Sequence, residues 1–278
     1  MKTIQTANPE IGRYVRAAGA DTNYHQAGHG PDAVVLIHGS GPGVSAYANW
    51  RLVLPALGQE RTVYAYDQKG FGYTEAEPTN EYGLELWLDH LIGFLDALSL
   101  EKVSLVGNSM GAAVALAAAV RHPERVGKLV LMGATGIRFP LTPGLDAVWG
   151  YTPSEEHMRR LIQLFTFAPG WATDELVQLR YRASARAGVS ETFARMFPAP
   201  RQQGIDDLAR YEDQYGAIRQ PTLLLHGLND QIIPVATSRR LLELLPAAEL
   251  HVFSGCGHWT QIEKTARFNA LVADFLRQ

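Results

Sequence analysis

Five residues between two apolar runs constrain the fold of this chain more than any other feature. Val103 to Val106 has the composition of a buried strand, Gly107-Asn108-Ser109-Met110-Gly111 follows it, and Met110 to His122 is an alanine-rich run typical of a helix. Glycines on both sides of the serine permit a strained turn, in which a larger flanking residue would collide with neighbouring backbone. A strand that turns sharply into a helix is the repeating unit of a parallel sheet covered by helices.

The rest of the chain repeats this alternation of short apolar strands and amphipathic helices. The predicted elements are strands at Val34 to Ile37, Thr62 to Tyr66, Val126 to Met132, Thr222 to His226 and Glu249 to Phe253, and helices at Gly83 to Leu98, Ala236 to Leu245 and Ala266 to Leu276. The sequence therefore predicts an α/β fold with a mostly parallel central sheet and helices on both of its faces.

The stretch between the two halves of this pattern has a different composition. Arg138 to Gly204 is rich in proline, arginine and aromatic residues and contains no convincing buried strand. We therefore predict that residues 138–204 form a helical cap inserted into a core made of residues 1–137 and 205–278. One core with an inserted cap suits a chain of 278 residues.

Charge and composition favour a small-molecule ligand. The net charge of −3 gives no electrostatic reason to expect nucleic acid or an anionic membrane as a partner. The most apolar run, Met110 to Val120, is too short to span a bilayer. Cys256 is the single cysteine, and Met1 to Glu10 lacks the pattern of a signal peptide, so we expect a cytoplasmic location.

Ser109 has the sequence context of a catalytic nucleophile. A G-x-S-x-G segment between a strand and a helix lifts the serine hydroxyl clear of the sheet. The backbone N–H of Met110 lies at the positive end of the following helix, where it can bind an oxyanion. Ser40, in the glycine-rich loop from His38 to Gly43, offers the natural second N–H donor, and we expect His38 to brace that loop.

Two later loops supply an acid and a histidine in the chain order that this type of site requires. Asp230 follows one predicted strand and His258 follows the last one, so both lie at the carboxyl ends of strands. Asp230 would fix the tautomer of His258, which would accept the Ser109 proton. Asp67 also follows a strand, but it precedes the serine and is the weaker candidate for the acid.

Four segments together resemble the meta-cleavage-product hydrolases, which are α/β-hydrolases that cut a carbon–carbon bond in ring-fission products of catechols. The segments are His38 to Gly43, Asn49-Trp50-Arg51, Gly107 to Gly111 and Cys256 to Glu263. Within that family, Phe139 to Tyr151 and Met196 to Gln202 are most similar to the 2-hydroxymuconic semialdehyde and alkyl-substituted branch. The resemblance covers nearly the whole chain and implies the α/β-hydrolase fold.

The resemblance also implies an activity. The substrate would have a 2-hydroxy-6-oxo-hexa-2,4-dienoate skeleton, and water would cleave it to 2-hydroxypenta-2,4-dienoate and a carboxylic acid during aromatic degradation. No cofactor and no metal would be needed. Arg180 of the cap would bind the dienoate carboxylate, and Asn49, Asn108 and Trp259 would line that end of the pocket. Members of the family also lead us to expect a homo-oligomer.

Three branched side chains lead to an expectation about the acyl end of the pocket, which would bind the C6 carbonyl group and its substituent. Thr135 follows one strand, Ile233 follows the predicted acid, and Ile205 lies where the cap returns to the core. If all three face the acyl group, they narrow the pocket, because pocket methylenes discriminate between substrates by size. The prediction is that hydrogen or a short alkyl group at C6 is preferred over phenyl.

Two other functions remain compatible with the same residues. An ordinary carboxylesterase or peptidase needs the same three side chains, and Tyr66 to Gly72 resembles the corresponding segment of peptidases with this fold. The segment around Ser109 also departs from the family pattern, since Ala112 follows Gly111 where a second glycine is usual. A hydrolase-like receptor that binds a ligand without turnover is the other alternative.

Overall fold

Eight strands form one mixed sheet in the computed structural model, which describes residues 8–278. The expectation drawn from Met1 to Glu10 therefore falls largely outside the described residues. The strands are β1 (Arg13–Ala17), β2 (Ala20–Ala27), β3 (Ala33–Ile37), β4 (Thr62–Tyr66), β5 (Val103–Asn108), β6 (Val126–Met132), β7 (Thr222–Gly227) and β8 (Ala248–Phe253). Their order across the sheet is β1-β2-β4-β3-β5-β6-β7-β8. Strands β1 and β2 are antiparallel to their neighbours, and the other pairs are parallel.

Helices cover both faces of this sheet. In chain order they are α1 (Ala46–Trp50), α2 (Leu54–Leu57), α3 (Leu84–Ala97), α4 (Met110–Arg121), α5 (Pro143–Trp149), α6 (Glu155–Phe165), α7 (Asp174–Ser184), α8 (Val189–Met196), α9 (Gln202–Leu208), α10 (Val235–Leu244), α11 (Thr260–Glu263) and α12 (Thr265–Arg277). No helix in the described part of the chain is both long and apolar enough to cross a membrane.

Alternate residues of each central strand face opposite layers, as the period of two in a strand requires. In β3, Val35 and Ile37 pack into a core cluster that includes helices α3 and α4. Val34 and Leu36 pack into a second cluster with α1, α2 and α12. Both faces of the central strands are therefore buried under helices. The prediction of a mostly parallel sheet between two helical layers is confirmed.

The predicted strands and helices of the core agree with the observed bounds to within two residues, but the hairpin of β1 and β2 was missed. Strand β2 carries Thr22 and Asn23, which are buried polar residues and contradict the apolar pattern expected of a core strand. Their partners are distant in sequence: Thr22 Oγ1 bonds His90 Nε2 at 2.8 Å, and Asn23 Nδ2 donates to Asp67 Oδ2 at 2.8 Å. A local sequence pattern cannot predict hydrogen bonds between residues so far apart in the chain.

The segment predicted as a cap is helical and, over residues 138–204, contains no strand. Helices α5 to α8 lie within it. The boundary drawn after residue 204 falls inside α9, which also packs against core helix α4. The last helix therefore bridges the cap and the core rather than belonging to one of them. The division into two units stays a prediction.

The turn between β5 and α4 is as tight as the glycines suggested. Ser109 has φ 52° and ψ −116°, a region that residues with a side chain rarely occupy. A Cβ on Gly111 would lie 2.3 Å from the carbonyl oxygen of Ile37, and one on Gly107 would lie 2.7 Å from the backbone of Ala112. The helix therefore approaches the sheet at a distance that only glycine allows.

Gly111→Ala should destabilise the protein, because the new methyl group would displace the backbone of β3 or of α4. We expect the free energy of unfolding to fall by about 1–3 kcal/mol, as for other overpacked sites. Urea denaturation measures this loss. Gly216→Ala is the matched control, since a Cβ there meets nothing within 4 Å. Equal stability of the two variants would contradict the tight contact.

Candidate active site

Ser109 lies at the carboxyl end of β5, with its backbone held by two neighbouring segments. Its N–H donates to the Met132 carbonyl at 2.8 Å, and its carbonyl accepts the Thr135 N–H at 3.3 Å. The residue is only 3% exposed, and it forms part of the wall of a cavity between the sheet and the cap. The strained turn therefore fixes the backbone of Ser109 at the wall of this cavity.

Asp230 and His258 meet at the same edge of the sheet. His258 Nδ1 donates to Asp230 Oδ2 at 2.6 Å, and the other carboxylate oxygen accepts the N–H groups of Ile232 and Ile233 at 2.8 and 2.9 Å. Burial opposes ionisation of Asp230, but His258 and then His226 hold its pKa below the ordinary value. An ionised carboxylate makes Nδ1 the donor, which leaves the lone pair of His258 on Nε2.

His258 and Ser109 line the same cavity. Across the described residues, the hydrogen bonds do not include one between Ser109 Oγ and His258 Nε2. Contacts of this kind are often long without substrate and shorten when substrate binds. The structure thus brings the three predicted residues to one site, with the Asp–His pair formed and the serine hydroxyl unengaged.

The two predicted oxyanion donors occupy suitable positions. Within the part of the chain that the structure describes, the N–H groups of Ser40 and Met110 have no hydrogen-bond acceptor. Met110 is the first residue of α4, at the positive end of the helix dipole. Ser40 lies on the cavity wall, and its hydroxyl accepts a hydrogen bond from Trp149 Nε1 of the cap at 2.9 Å.

His38 braces the glycine-rich loop, as predicted. Its Nδ1 lies 2.8 Å from the Gly39 carbonyl, and its Nε2 accepts the Gln68 N–H at 3.0 Å. The Gln68 side chain in turn donates to the His38 carbonyl at 2.7 Å. Burial lowers the pKa of His38 to about 4, so the ring is neutral and suited to one donor and one acceptor role.

Asp67 has a different set of partners from Asp230. Its carboxylate accepts the N–H groups of Ala46 at 2.6 Å and Tyr73 at 2.7 Å, together with the Asn23 amide at 2.8 Å. Burial raises its pKa to about 6. These contacts tie the end of β4 to α1 and β2, and they leave Asp230 as the acid that contacts the histidine.

Asn49, Asn108, Arg180 and Trp259 all lie on the wall of the cavity that contains Ser109. Asn49 Nδ2 donates to Asn108 Oδ1 at 3.1 Å. This bond leaves Asn49 Oδ1 buried and without a partner among the described residues. A buried acceptor without a donor is costly unless a ligand supplies one. The four residues predicted for the dienoate end therefore line one cavity, and their role in binding stays a prediction.

Arg180 is mostly covered by neighbouring residues and connects the cap to the core. Its Nη1 lies 3.4 Å from Glu10 Oε1, and its Nη2 donates to the Gly43 carbonyl. Ser45 Oγ donates to the second oxygen of Glu10 at 2.7 Å. Sequence reasoning missed Glu10, because nothing in its neighbourhood indicates a partner 170 residues away.

Thr135, Ile205 and Ile233 do not lie on the wall of this cavity, so their predicted position at the acyl end is not supported. Thr135 turns its hydroxyl to the Ser109 carbonyl at 3.0 Å. Ile205 and Ile233 pack into the larger core cluster, with 1% and 0% exposure. A residue that follows a strand end can face the core as readily as the site. The cavity is instead bordered on the cap side by Met158, Leu161, Ile162 and Phe165 of α6.

The end of α6 contacts the histidine loop directly, a connection that the sequence did not reveal. The Phe165 carbonyl accepts the N–H groups of His258 at 2.8 Å and Trp259 at 3.1 Å. The Phe165 ring stacks on Trp259 with centroids 4.8 Å apart. Glu263 accepts the N–H groups of Gly257 at 2.7 Å and Phe167 at 2.8 Å, so it joins both segments. The cap therefore holds the loop that carries His258.

His226 is a further buried neighbour of the site. Its Nε2 lies 3.3 Å from Asp230 Oδ2 and 3.0 Å from the Ile233 carbonyl, while its Nδ1 lies 2.7 Å from Ser238 Oγ. The acid is thus placed between two histidines. Over residues 8–278, no group of three histidine, cysteine, aspartate or glutamate side chains could hold a metal ion.

Comparison with known families and proteins agrees with this geometry. A family model described as alpha/beta hydrolase fold matches residues 32–265. A 2-hydroxymuconate semialdehyde hydrolase of Pseudomonas sp. strain CF600 is 55% identical, and the match covers 98% of this chain and 95% of the relative. A 2-hydroxy-6-oxo-2,4-heptadienoate hydrolase of Pseudomonas putida is 54% identical, with 98% and 99% covered.

Solved structures show the same likeness in three dimensions. The meta-cleavage product hydrolase CumD from Pseudomonas fluorescens IP01, a serine-to-alanine mutant complexed with acetates, has a TM-score of 0.96 and 52% identity. The match covers 97% of this chain and 99% of that one. The 2-hydroxy-6-oxo-6-phenylhexa-2,4-dienoate hydrolase of Rhodococcus sp. strain RHA1 has a TM-score of 0.88 and 31% identity, with 96% and 99% covered.

Asp230→Asn should lower kcat by about 10⁴-fold, as expected when the histidine loses the acceptor that fixes its tautomer. An amide has a single acceptor oxygen, so either His258 or the Ile232 and Ile233 N–H groups would lose a partner. Steady-state kinetics measures the loss. Asp213→Asn is the isosteric control, because that side chain is 87% exposed. A loss of less than tenfold for Asp230→Asn would contradict the assigned geometry.

Proposed function

The chain belongs to the α/β-hydrolase fold family and, within it, to the meta-cleavage-product hydrolases, and on this basis we propose that it cleaves a carbon–carbon bond in 2-hydroxy-6-oxo-hexa-2,4-dienoate-type ring-fission products. The products are 2-hydroxypenta-2,4-dienoate and a carboxylic acid, formed during aromatic degradation. One observation carries the proposal: Arg180, whose side chain is only 11% exposed, shares a cavity with the serine and the histidine. An ordinary esterase needs the serine and the histidine but has no use for the guanidinium.

The substrate carboxylate binds at Arg180, whose guanidinium keeps N–H groups beyond those given to Glu10 and Gly43. The unpartnered Oδ1 of Asn49 accepts a hydrogen bond from the 2-hydroxyl group. Trp259 packs against the diene and is held in place by the Phe165 ring. This placement directs the C6 carbonyl toward Ser109.

Ketonisation comes first, because a vinyl carbanion is a poor leaving group. The 2-hydroxyl proton leaves its oxygen and a proton is added at C5, which gives a 2,6-diketone with a saturated C5. His258 Nε2 is the base and acid for this transfer, since Asp230 stabilises its charged form. The C5–C6 bond now has a stabilised carbanion as its leaving group.

Cleavage then follows attack of an oxygen nucleophile on C6. His258 takes the proton either from Ser109 or from a water molecule that Ser109 holds. In the first case bond cleavage leaves an acyl-serine, which water then hydrolyses to the carboxylic acid and free Ser109. The N–H groups of Ser40 and Met110 stabilise the oxyanion. When the C5–C6 bond breaks, its electron pair passes through the C3–C4 double bond to the C2 oxygen, which is protonated to give the dienol. Chemical trapping of an acyl-serine distinguishes the two routes.

We further propose that hydrogen or a methyl group at C6 is preferred over phenyl. The relatives of 55% and 54% identity are named for a semialdehyde and a heptadienoate, whose C6 substituents are hydrogen and methyl. The relative named for a phenyl substrate is 31% identical. The preference therefore rests on sequence similarity and on no particular residue of the cavity wall.

We also propose that the protein is cytoplasmic and forms a homo-oligomer. A cytoplasmic location is consistent with Cys256, a buried free thiol whose pKa is raised by burial to about 12. A homo-oligomer is supported by resemblance to the family. Light scattering after size-exclusion chromatography measures the assembly directly.

The activity is tested with purified protein and ring-fission products that carry hydrogen, methyl or phenyl at C6. Loss of dienolate absorbance should give a kcat/KM at least about tenfold higher for methyl than for phenyl, the scale of pocket discrimination between substrates. Ser109→Ala should lower kcat by roughly 10³-fold or more while the protein stays folded. Hydrolysis of p-nitrophenyl esters without turnover of any dienoate would show an ordinary esterase.

Arg180→Gln should raise KM for the dienoate by roughly tenfold or more, because charge-assisted bonds to a carboxylate are lost. Hydrolysis of p-nitrophenyl acetate should change little, since this ester has no carboxylate. Arg180→Lys keeps the charge that Glu10 needs and should restore part of the affinity. Equal losses on dienoate and ester would contradict the assigned role, and thermal melting checks that each variant is folded.

A further inference from the structure

A second arginine, Arg51, lines the cavity together with Arg180. Arg51 directly follows helix α1, which also carries Asn49, and both side chains lie on the cavity wall. Its Nη1 donates to the Ala48 carbonyl at 2.7 Å. A guanidinium has five N–H donors, so this bond leaves most of them for a ligand. Arg51 is half-buried, so its side chain is partly accessible to solvent.

The two arginines differ in how their charge is balanced. Arg180 forms an ion pair with Glu10, and both side chains are 11% exposed. No aspartate or glutamate within residues 8–278 forms a salt bridge with Arg51. Burial lowers the pKa of Arg180, Glu10 raises it, and the positive charges of Arg51 and then Arg186 lower it. Glu10 offsets the charge of Arg180, and Arg51 is the lining arginine without an acidic partner among the described residues.

We infer that Arg51 is a second carboxylate-binding residue of this cavity and makes it selective for an anionic ligand. The inference rests on the proposed function for the identity of the substrate. A carboxylate that leaves water for a largely apolar cavity must regain the lost interaction energy. A guanidinium already paired with an acid offers less attraction, because the acid repels the incoming carboxylate. Arg51 restores the attraction beside Asn49.

The alternative for Arg51 is a purely structural role, in which it only closes the end of α1 through the Ala48 carbonyl. Loss of such a role would weaken folding, and it would affect neutral and anionic ligands alike. Loss of a carboxylate-binding role affects the anion selectively. A pair of ligands of similar shape, one anionic and one neutral, therefore separates the two roles.

The probes are hexa-2,4-dienoate and its neutral amide, hexa-2,4-dienamide, with binding measured by isothermal titration calorimetry. Arg51→Gln should weaken binding of the dienoate roughly tenfold or more, while binding of the amide stays within about twofold. Arg51→Lys should recover part of the loss. Arg182→Gln is the control, since it removes the same charge from an exposed position on α7 and should leave both affinities within about twofold.

Two results would overturn the inference: dienoate affinity unchanged in Arg51→Gln, or equal weakening of dienoate and amide. Absence of dienoate binding to the unmodified protein would overturn it as well. The experiment needs no turnover, so it remains readable if the protein fails to cleave any ring-fission product. Failure of the proposed function and failure of this inference are thus separate outcomes.

Discussion

The close contact between the first turn of helix α4 and strand β3 sets the geometry of everything above the sheet. Gly111 lies so near the Ile37 carbonyl that a methyl group would overlap it. The helix can therefore begin directly after β5, and Ser109 takes up the left-handed turn that this start requires. The same turn directs the Met110 N–H toward the space that the serine faces. Nucleophile and oxyanion donor are thus fixed by one packing contact.

The cap contacts two loops of the site, the glycine-rich loop and the loop that carries His258. Trp149 bonds Ser40 in the glycine-rich loop, and Arg180 bonds the Gly43 carbonyl of the same loop. The Phe165 carbonyl accepts the His258 N–H. The cap therefore holds the glycine-rich loop and the loop that carries His258 on one side, while the sheet holds them on the other. A substrate bound between these layers is shielded from water, which strengthens every electrostatic interaction with it.

Sequence reasoning succeeded where the signal is local. Continuous apolar strands, the glycines around Ser109 and the order of serine, acid and histidine all follow from short segments. It failed where a side chain depends on a distant partner. Glu10 is recognisable only beside Arg180, and the polar strand β2 only beside His90 and Asp67.

The expectation for Thr135, Ile205 and Ile233 failed for a related reason. A position after a strand end fixes where a backbone lies, but the direction of the side chain is decided by tertiary packing. Each of the three found a partner in the interior instead of a place on the cavity wall. The charge balance between Arg51, Arg180 and Glu10 is likewise a property of the folded chain and of no single segment.

The most direct test of serine-dependent carbon–carbon hydrolysis follows the oxygen of water into the products. The methyl-substituted ring-fission product is turned over in ¹⁸O-labelled water, and both fragments are analysed by mass spectrometry. The account predicts one ¹⁸O atom in the acetate, none in 2-hydroxypenta-2,4-dienoate, and neither product in quantity from Ser109→Ala. Unlabelled acetate, or equal product formation by Ser109→Ala, would contradict it.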